Sequence, residues 1–303
     1  VTRPPRNIVA SVQARLVQRS HELHVEHQLT LARFAGERLL YRLSVSPHSD
    51  RFIVKGAALL LVWFGDAIRP TKDVDLLGFG DVSADALRQI FGDVCRVPCG
   101  DDGLTLVAES LHVEAIRAQQ EYGGMRVTLT AMLGTTRIPM QVDVGTGDAV
   151  VPPPETIDYP GLLALPAARV RIYRPETSIA EKTEALVRLG LANSRMKDLF
   201  DIYSMAQRMS FEGDSLRAAL MATFDRRQTA LPVELPIALT DEFALDTQKQ
   251  NQWRAFSDRL REPISAELGD VVAALREFLW PAVAAADADT EWRARWSPGG
   301  PWS

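Results

Sequence analysis

The sequence is short of cysteine, long apolar runs, net charge and lysine, and each shortage excludes something. Its 2 cysteines, Cys95 and Cys99 in the run CRVPC, exclude a disulfide scaffold and lack the ligand count of a structural zinc site. They read as small buried hydrophobes of a reducing compartment. The longest apolar run, Ala57–Phe64, has eight residues, far below the ~18 of a membrane span. Residues 1–20 carry arginine but no compact apolar segment, so no secretory leader is expected. The expectation is a cytoplasmic protein with no membrane partner. A net charge of −5 excludes a globally basic nucleic-acid binder, so any such partner needs a local patch. With 46% hydrophobic and 24% charged residues, the 303-residue chain is an ordinary globular one. The scarcest common residue is lysine. Of 34 basic residues only five are lysines, Lys55, Lys72, Lys182, Lys197 and Lys249. A chain that uses arginine almost everywhere keeps lysine for reasons to be found.

Apolar spacing of threes and fours over 8–44 predicts two helices with a break near residue 27. A strand at Arg51–Val54 turns at Gly56 into a buried helix over 57–64, and GDAIRP follows as a loop. Asp73–Leu77 alternates like a strand, and Ser83 caps a helix to Val94. Leu104–Ala108, Met125–Leu133 and Ile138–Val144 are further strand candidates. The proline-bearing stretch 150–166 reads as a surface linker. Helices are then expected over 178–189, 196–209, 215–224, 248–260 and 264–278, with a frayed tail whose tryptophans can dock. The chain therefore reads as α+β or α/β in its first half and as all-helical in its second. The expected domains are 1–150 and 151–303.

Four constellations carry chemistry. In Asp73-Val74-Asp75 the two carboxylates share one strand face. A divalent metal relieves their repulsion, since carboxylate oxygens suit Mg²⁺; a solvated strand edge is the alternative. Asp143, flanked by Val142 and Val144 on a later strand, offers a third acid, and such a set supports in-line phosphoryl or nucleotidyl transfer. Lys55-Gly56-Ala57 joins a strand to a helix, where free amides and a glycine can admit phosphate. It is not a Walker A loop. Lys182, on a packing helix, can reach phosphate oxygens, or simply be a solvated surface residue. Arg195, Asp198 and Asp201 share a helix face, as an acidic site or as an ion-pair set. His21, His24 and His27 form HxxHxxH, but the third has rotated away from the first two, so metal ligation is not expected there.

KGAAL (55–59), RPTKDVDLLG (69–78), AEKTEALVRLG (180–190) and SRMKDLFDIY (194–203) occur in the order of the AbiEii-type nucleotidyltransferase toxins, which the chain resembles over roughly 30–210. ERLLYRLSVSPHSDRFIVKG (37–56) is similar to that family's lead-in. These toxins belong to the DNA polymerase β-like nucleotidyltransferase superfamily, and act in type IV toxin–antitoxin pairs. The resemblance implies a phosphate-binding motif at Gly56 and metal ligands at Asp73 and Asp75. It implies a phosphate contact at Lys182, an acidic residue of the fourth motif at Asp198, and a third carboxylate at Asp143. Where the superfamily has Gly-Ser this chain has Gly56-Ala57, and Thr71 is the hydroxyl left near the site. Since some antitoxins of the family resemble kinases, Thr71 is also a candidate for phosphorylation.

The expected reaction moves a nucleoside monophosphate from an NTP to an acceptor hydroxyl and releases pyrophosphate, with Mg²⁺ (or Mn²⁺) on Asp73, Asp75 and Asp143. Lys55 and Lys182 are the candidates for the triphosphate, with Gly56, Ala57 and Thr71 beside them. The resemblance implies tRNA as acceptor at its 3′ end, a block of translation, and a cognate antitoxin as partner. Arg169, Arg171, Arg174 with Tyr173, then Arg188, Arg195, Arg226 and Arg227, are the arginines available to RNA. Rival readings change the acceptor to a protein or small molecule, or make the chain a non-catalytic binding protein on the same fold.

Overall fold

The computed structural model describes residues 7–65, 69, 71–99, 102–116, 123–260 and 264–303. Most of the expected loop over 65–70 lies outside the described residues. In chain order the elements are α1 (Ile8–Glu22), α2 (His27–Ser44), β1 (Phe52–Lys55), α3 (Ala58–Phe64), β2 (Asp73–Gly78), α4 (Ala84–Arg96), β3 (Leu104–Ala115), β4 (Met125–Leu133), β5 (Thr136–Thr146), β6 (Glu155–Asp158), β7 (Arg169–Ile172), α5 (Pro175–Leu189), α6 (Met196–Arg208), β8 (Phe211–Glu212), α7 (Gly213–Arg226), α8 (Asp241–Leu245), α9 (Thr247–Ser257), α10 (Leu268–Asp287) and β9 (Arg295–Trp296). The chain divides into two compact units, Val1–Gly147 with Glu155–Ile172, and Asp148–Pro154 with Tyr173–Ser303.

The first unit is built on a seven-stranded mixed sheet in the order β3-β4-β5-β2-β1-β7-β6. β2 runs parallel to β5 and antiparallel to β1, while β4 is antiparallel to both β3 and β5. Period-two alternation makes one sheet face apolar. Val74, Val142, Val127 and Val113 lie in register across four strands, and all four are buried. α2 and α4 pack on the sheet, burying Phe34, Leu39, Leu40, Leu43, Leu87 and Phe91. Gly36 lets α2 close down on that face: a Cβ there would stand 3.3 Å from a Val74 methyl. Asn7 caps α1 by accepting from Ala10 N at 3.0 Å, and Ser83 caps α4 through Ala86 N.

A buried ion cluster ties α2 to the start of β3. Asp102 accepts from Arg38 Nε at 3.0 Å and from Arg42 Nη1 and Nη2 at 2.8 and 3.2 Å. Burial is the largest single influence on Asp102 and opposes its ionisation, but hydrogen bonds from Arg42, Cys99 and Leu104 N together with the Arg42 charge outweigh it and hold the carboxyl below its usual range. Burial pushes the Cys95 thiol up to about 11 and also raises Cys99. Neither is an activated thiolate, but both are half-buried rather than the buried residues expected.

The stretch over 150–166, expected as a linker, behaves differently. Residues 155–158 form β6, which pairs with β7 and so joins the sheet of the first unit. Tyr159 is buried and donates to Ala58 O at 3.0 Å, and Leu162 N donates to Glu37 Oε2 at 2.8 Å. The rest of the stretch stays exposed or half-buried, as expected of a surface segment. β3 extends to Ala115 by shifting register between Val107 and His112, past the end expected at Ala108.

The second unit is helical. α5, α6, α7 and α10 pack around Ile179, Leu186, Leu199, Ile202, Leu216, Leu220, Leu275, Phe278 and Leu279. α10 passes through Pro281 to Asp287, beyond the expected end at Phe278. Burial of Ala282, Val283 and Ala286 offsets the hydrogen bond the proline removes. The tail does not fray. β9 pairs with β8, Trp296 is buried and donates to Ala206 O at 2.7 Å, and Trp302 stacks on Phe278 with ring centroids 5.7 Å apart. Apolar area at three indoles outweighs a loop-like run of Pro, Gly and Ser.

Candidate active site

The turn after β1 shows what its glycine is for. Gly56 has φ +72, and a Cβ there would lie 2.0 Å from Asp75 Oδ2. Only glycine lets the backbone pass this close to the carboxylate. Lys55, at the end of β1, is the register partner of Asp75 on β2. Ala57 precedes α3, which has seven residues and no side-chain cap. Thr71 directs its hydroxyl to Asp73 O at 3.4 Å, at the entry to β2.

β2 buries Val74 and Leu76 against the apolar core, which turns Asp73 and Asp75 to the opposite face. β5 lies parallel beside it, with Asp75 opposite Asp143 and Asp73 opposite Gln141. The structure thus brings Asp73, Asp75 and Asp143 onto one face of adjacent strands. β5 in turn pairs with β4, placing Arg126 opposite Asp143, and β4 with β3, placing Glu114 opposite Arg126. One row across five strands therefore reads Lys55, Asp75, Asp143, Arg126, Glu114, a sequence of charges of sign +, −, −, +, −.

Arg126 is the functional candidate that the sequence reading did not find. It meets Asp143 in a two-pronged ion pair, Nε to Oδ1 and Nη2 to Oδ2, both at 2.8 Å. Gln141 Nε2 donates to Asp143 Oδ2 at 3.3 Å. The Asp143 hydrogen bonds raise the pKa of Arg126, with Asp73 and Glu114 adding attraction. The signal was present: Leu133 pairs with Thr136 across the two-residue turn Gly134-Thr135, and counting outward from it makes 126 face 143.

Three carboxylates on one sheet face are a hard oxygen donor set, the kind of chemistry a divalent cation takes, and Gly56 gives Asp75 its room. Among the described residues no group of three His, Cys, Asp or Glu side chains stands in metal-holding geometry. The Arg126 fork is what engages Asp143 instead. His21, His24 and His27 straddle the break between α1 and α2 and form no such group either.

The other predicted residues lie in the second unit. Lys182 on α5 sets its ammonium 2.7 Å from Asp198 Oδ1 and 2.9 Å from Asp201 Oδ2 on α6. Asp198 sits in the first turn of α6, where a carboxylate is favoured, and Asp201 follows one turn on, fully buried. Arg195 Nη1 approaches Asp198 Oδ2 at 3.7 Å. The acidic set and the ion-pair set envisaged for this segment are thus one structure centred on Lys182. α5 is anchored by a second charge cluster, in which Arg227 reaches Asp148, Glu181 and Glu184 at 3.2, 3.5 and 2.8 Å.

That cluster shortens the roll of arginines available to RNA. Arg227 is consumed internally, Arg188 bonds Glu184, and Arg171 donates to the carbonyls of Asp50 and Phe52. Tyr173 is fully buried and cannot stack on a base. Arg169, Arg195 and Arg226 are exposed. Of the remaining lysines, Lys72 and Lys197 are exposed, and Lys249 is buried, donating to Asn193 O at 2.9 Å.

No helix among the described residues is long and apolar enough to cross a membrane. No curated protein matches the sequence. Two solved structures from Helicobacter pylori, JHP933 and a candidate nucleotidyltransferase, are similar at 14% identity and a TM-score of 0.44. Each alignment covers 83% of this chain, and 86% and 89% of the two structures respectively. The model of the AbiEii nucleotidyl transferase toxins of type IV toxin–antitoxin systems matches residues 38–288. With most of its length matched, including the carboxylate face, Lys182 and Asp198, the chain belongs to that family of nucleotidyltransferases.

Proposed function

We propose that this toxin transfers a nucleoside monophosphate from an NTP to the 3′-terminal hydroxyl of tRNA, in a Mg²⁺-dependent reaction that blocks translation. The observation that carries the chemistry is the register of Asp75 beside Asp143, with Asp73 on the same face and Gly56 stripped of a side chain against Asp75. Asp73 and Asp75 would hold the divalent cation, with Asp143 as third ligand. Bound there, it would supply charge neutralisation for the α-phosphate and the departing pyrophosphate.

The remaining work belongs to the chain. The acceptor oxygen bonds to the α-phosphorus while the bond from that phosphorus to the bridging oxygen breaks, and pyrophosphate leaves with the electron pair. Asp143 takes up the proton of the attacking hydroxyl. Lys55 and Lys182 are assigned to triphosphate oxygens. Asp198 and Asp201 hold the Lys182 ammonium in one place, so its position is set before substrate arrives. Gly56 and Ala57 give phosphate access to the turn after β1, with the Thr71 hydroxyl nearby. An acidic chain that exposes Arg169, Arg195 and Arg226 favours patch-mediated RNA contact, so affinity falls as salt rises.

The test is incubation of the full chain with each labelled NTP, Mg²⁺ and total tRNA. Label in tRNA, abolished by D75A and by chelation, supports the assignment. Label in protein or in small molecules moves the acceptor to the rival class while keeping the transfer. Undiminished toxicity of D75A in cells would favour a binding protein over an enzyme. Membership of a type IV pair implies a cognate antitoxin. Phosphorylation of Thr71 is one route of neutralisation, and an unmodified Thr71 in neutralised toxin would overturn it.

A further inference from the structure

Arg126 occupies both oxygens of the carboxylate that the reaction needs. Its partner Asp143 is neither at a sheet edge nor in the core: it lies one strand from Asp75, with the Asp143 side chain 21% and the Arg126 side chain 31% exposed. The hairpin sets the register, because a two-residue turn keeps Arg126 opposite Asp143 whatever else binds, while the side-chain fork between them can open. Asp73 and Glu114 draw the same guanidinium from either side. A dication seated on Asp73, Asp75 and Asp143 would share a carboxylate with a permanently charged guanidinium, and two cations at that spacing repel.

We propose that Arg126 is a positioning residue that competes with the divalent cation for Asp143. Loading of the site exchanges the Arg126–Asp143 pair for a cation–Asp143 contact, and Arg126 thereby sets the metal affinity of the nucleotide-free enzyme. Negative charge that enters with the metal, as in a metal–nucleotide complex, gives the displaced guanidinium a new partner and favours the exchange further. Without nucleotide the arginine therefore weakens metal binding to the carboxylate row. This inference rests on the assignment of Asp73, Asp75 and Asp143 to a metal, and it goes beyond it by naming what that metal must displace.

The test is Mn²⁺ binding to the full-length protein without nucleotide, read from the electron paramagnetic resonance signal of free Mn²⁺. R126Q is expected to bind Mn²⁺ about tenfold more tightly than the unaltered protein, the scale of removing one like charge from a partly exposed site. The gain should vanish in R126Q/D143N, while D143N alone changes nucleotide-free affinity little. R126M repeats the measurement should R126Q fail to fold, as judged by circular dichroism. Equal or weaker Mn²⁺ binding in a folded R126Q or R126M overturns the inference. D75N separates the two levels: if it leaves Mn²⁺ binding intact, the metal assignment itself fails. If D75N abolishes binding and the Arg126 variants change nothing, only the competition is lost.

Discussion

Asp102 and Asp143 are both gripped by arginine within the first unit, and burial makes them different devices. Asp102 is 1% exposed between Arg38 and Arg42, which are themselves buried. Asp143 has one arginine and stands half-open on the polar face of the sheet. In the first case the charges were desolvated on folding, so each is needed to satisfy the others. In the second, water screens the pair, and its net worth to stability is small. The same two side-chain types thus give a structural clamp in one place and an exchangeable contact in another. Lys182 with Asp198 and Asp201 lies between the extremes: one acid is fully buried, and the ammonium is 15% exposed.

The largest expected effect is at the clamp. D102A should destabilise the first unit by about 3–5 kcal/mol, because two buried guanidinium groups lose their counter-charge. Chemical denaturation followed by circular dichroism measures it, and a loss under about 1 kcal/mol would erase the contrast with Asp143. The pH dependence has a definite sign. A carboxyl held below its usual value contributes stability above that usual value, and the contribution is lost as pH falls through the folded one. Acid unfolding should therefore come at higher pH in D102N, which cannot ionise.

Next in size is G56A, which places a Cβ on the Asp75 carboxylate and strains a left-handed turn. It should cost about 1–3 kcal/mol and nearly all transfer activity. Thermal melts and labelled-NTP turnover check both, and an active, fully stable G56A would show that Asp75 can simply move aside. K182R keeps the charge but cannot seat a planar guanidinium where one ammonium bridges Asp198 and Asp201. We expect turnover to fall by about ten- to a hundredfold, as for a displaced charge-stabilising group, with a loss of stability between those at Asp102 and at Arg126; full activity would assign Lys182 a replaceable role. The smallest effect is at the open pair. R126Q should alter unfolding free energy by no more than about 1 kcal/mol, so a larger loss would place Arg126 with the buried clamp.

How much of this was legible in the sequence depends on what fixes each contact. Alternation placed Asp73, Asp75 and Asp143 on strands, and helical spacing placed Asp198 and Asp201 on one face, because these are local regularities. The Arg126–Asp143 register was also legible, since Gly134-Thr135 sets it. The adjacency of Asp75 and Asp143 was not, because a parallel pair has no turn from which to count. β7 escaped notice because Arg169 and Arg171 alternate with only two apolar residues over four positions. Helix α8 is five residues long and has no periodicity to read. The lysines show the same limit. Their scarcity pointed to Lys55 and Lys182, but the buried hydrogen bond of Lys249 to Asn193 follows from packing alone.

The docked tail has an optical consequence. Trp302 lies 4.3 Å from Trp292 and 5.4 Å from Trp296, centroid to centroid. Indoles this close, at fixed tilts, couple their excited states and give the second unit a near-ultraviolet dichroism band of its own. Trp296 and Gly299 both donate to Ala206 O on α6, the helix whose opposite end carries Asp198 and Asp201. A movement of α6 that releases the Lys182 ammonium should therefore perturb this aromatic spectrum, giving a label-free signal for the helix that holds the lysine's partners.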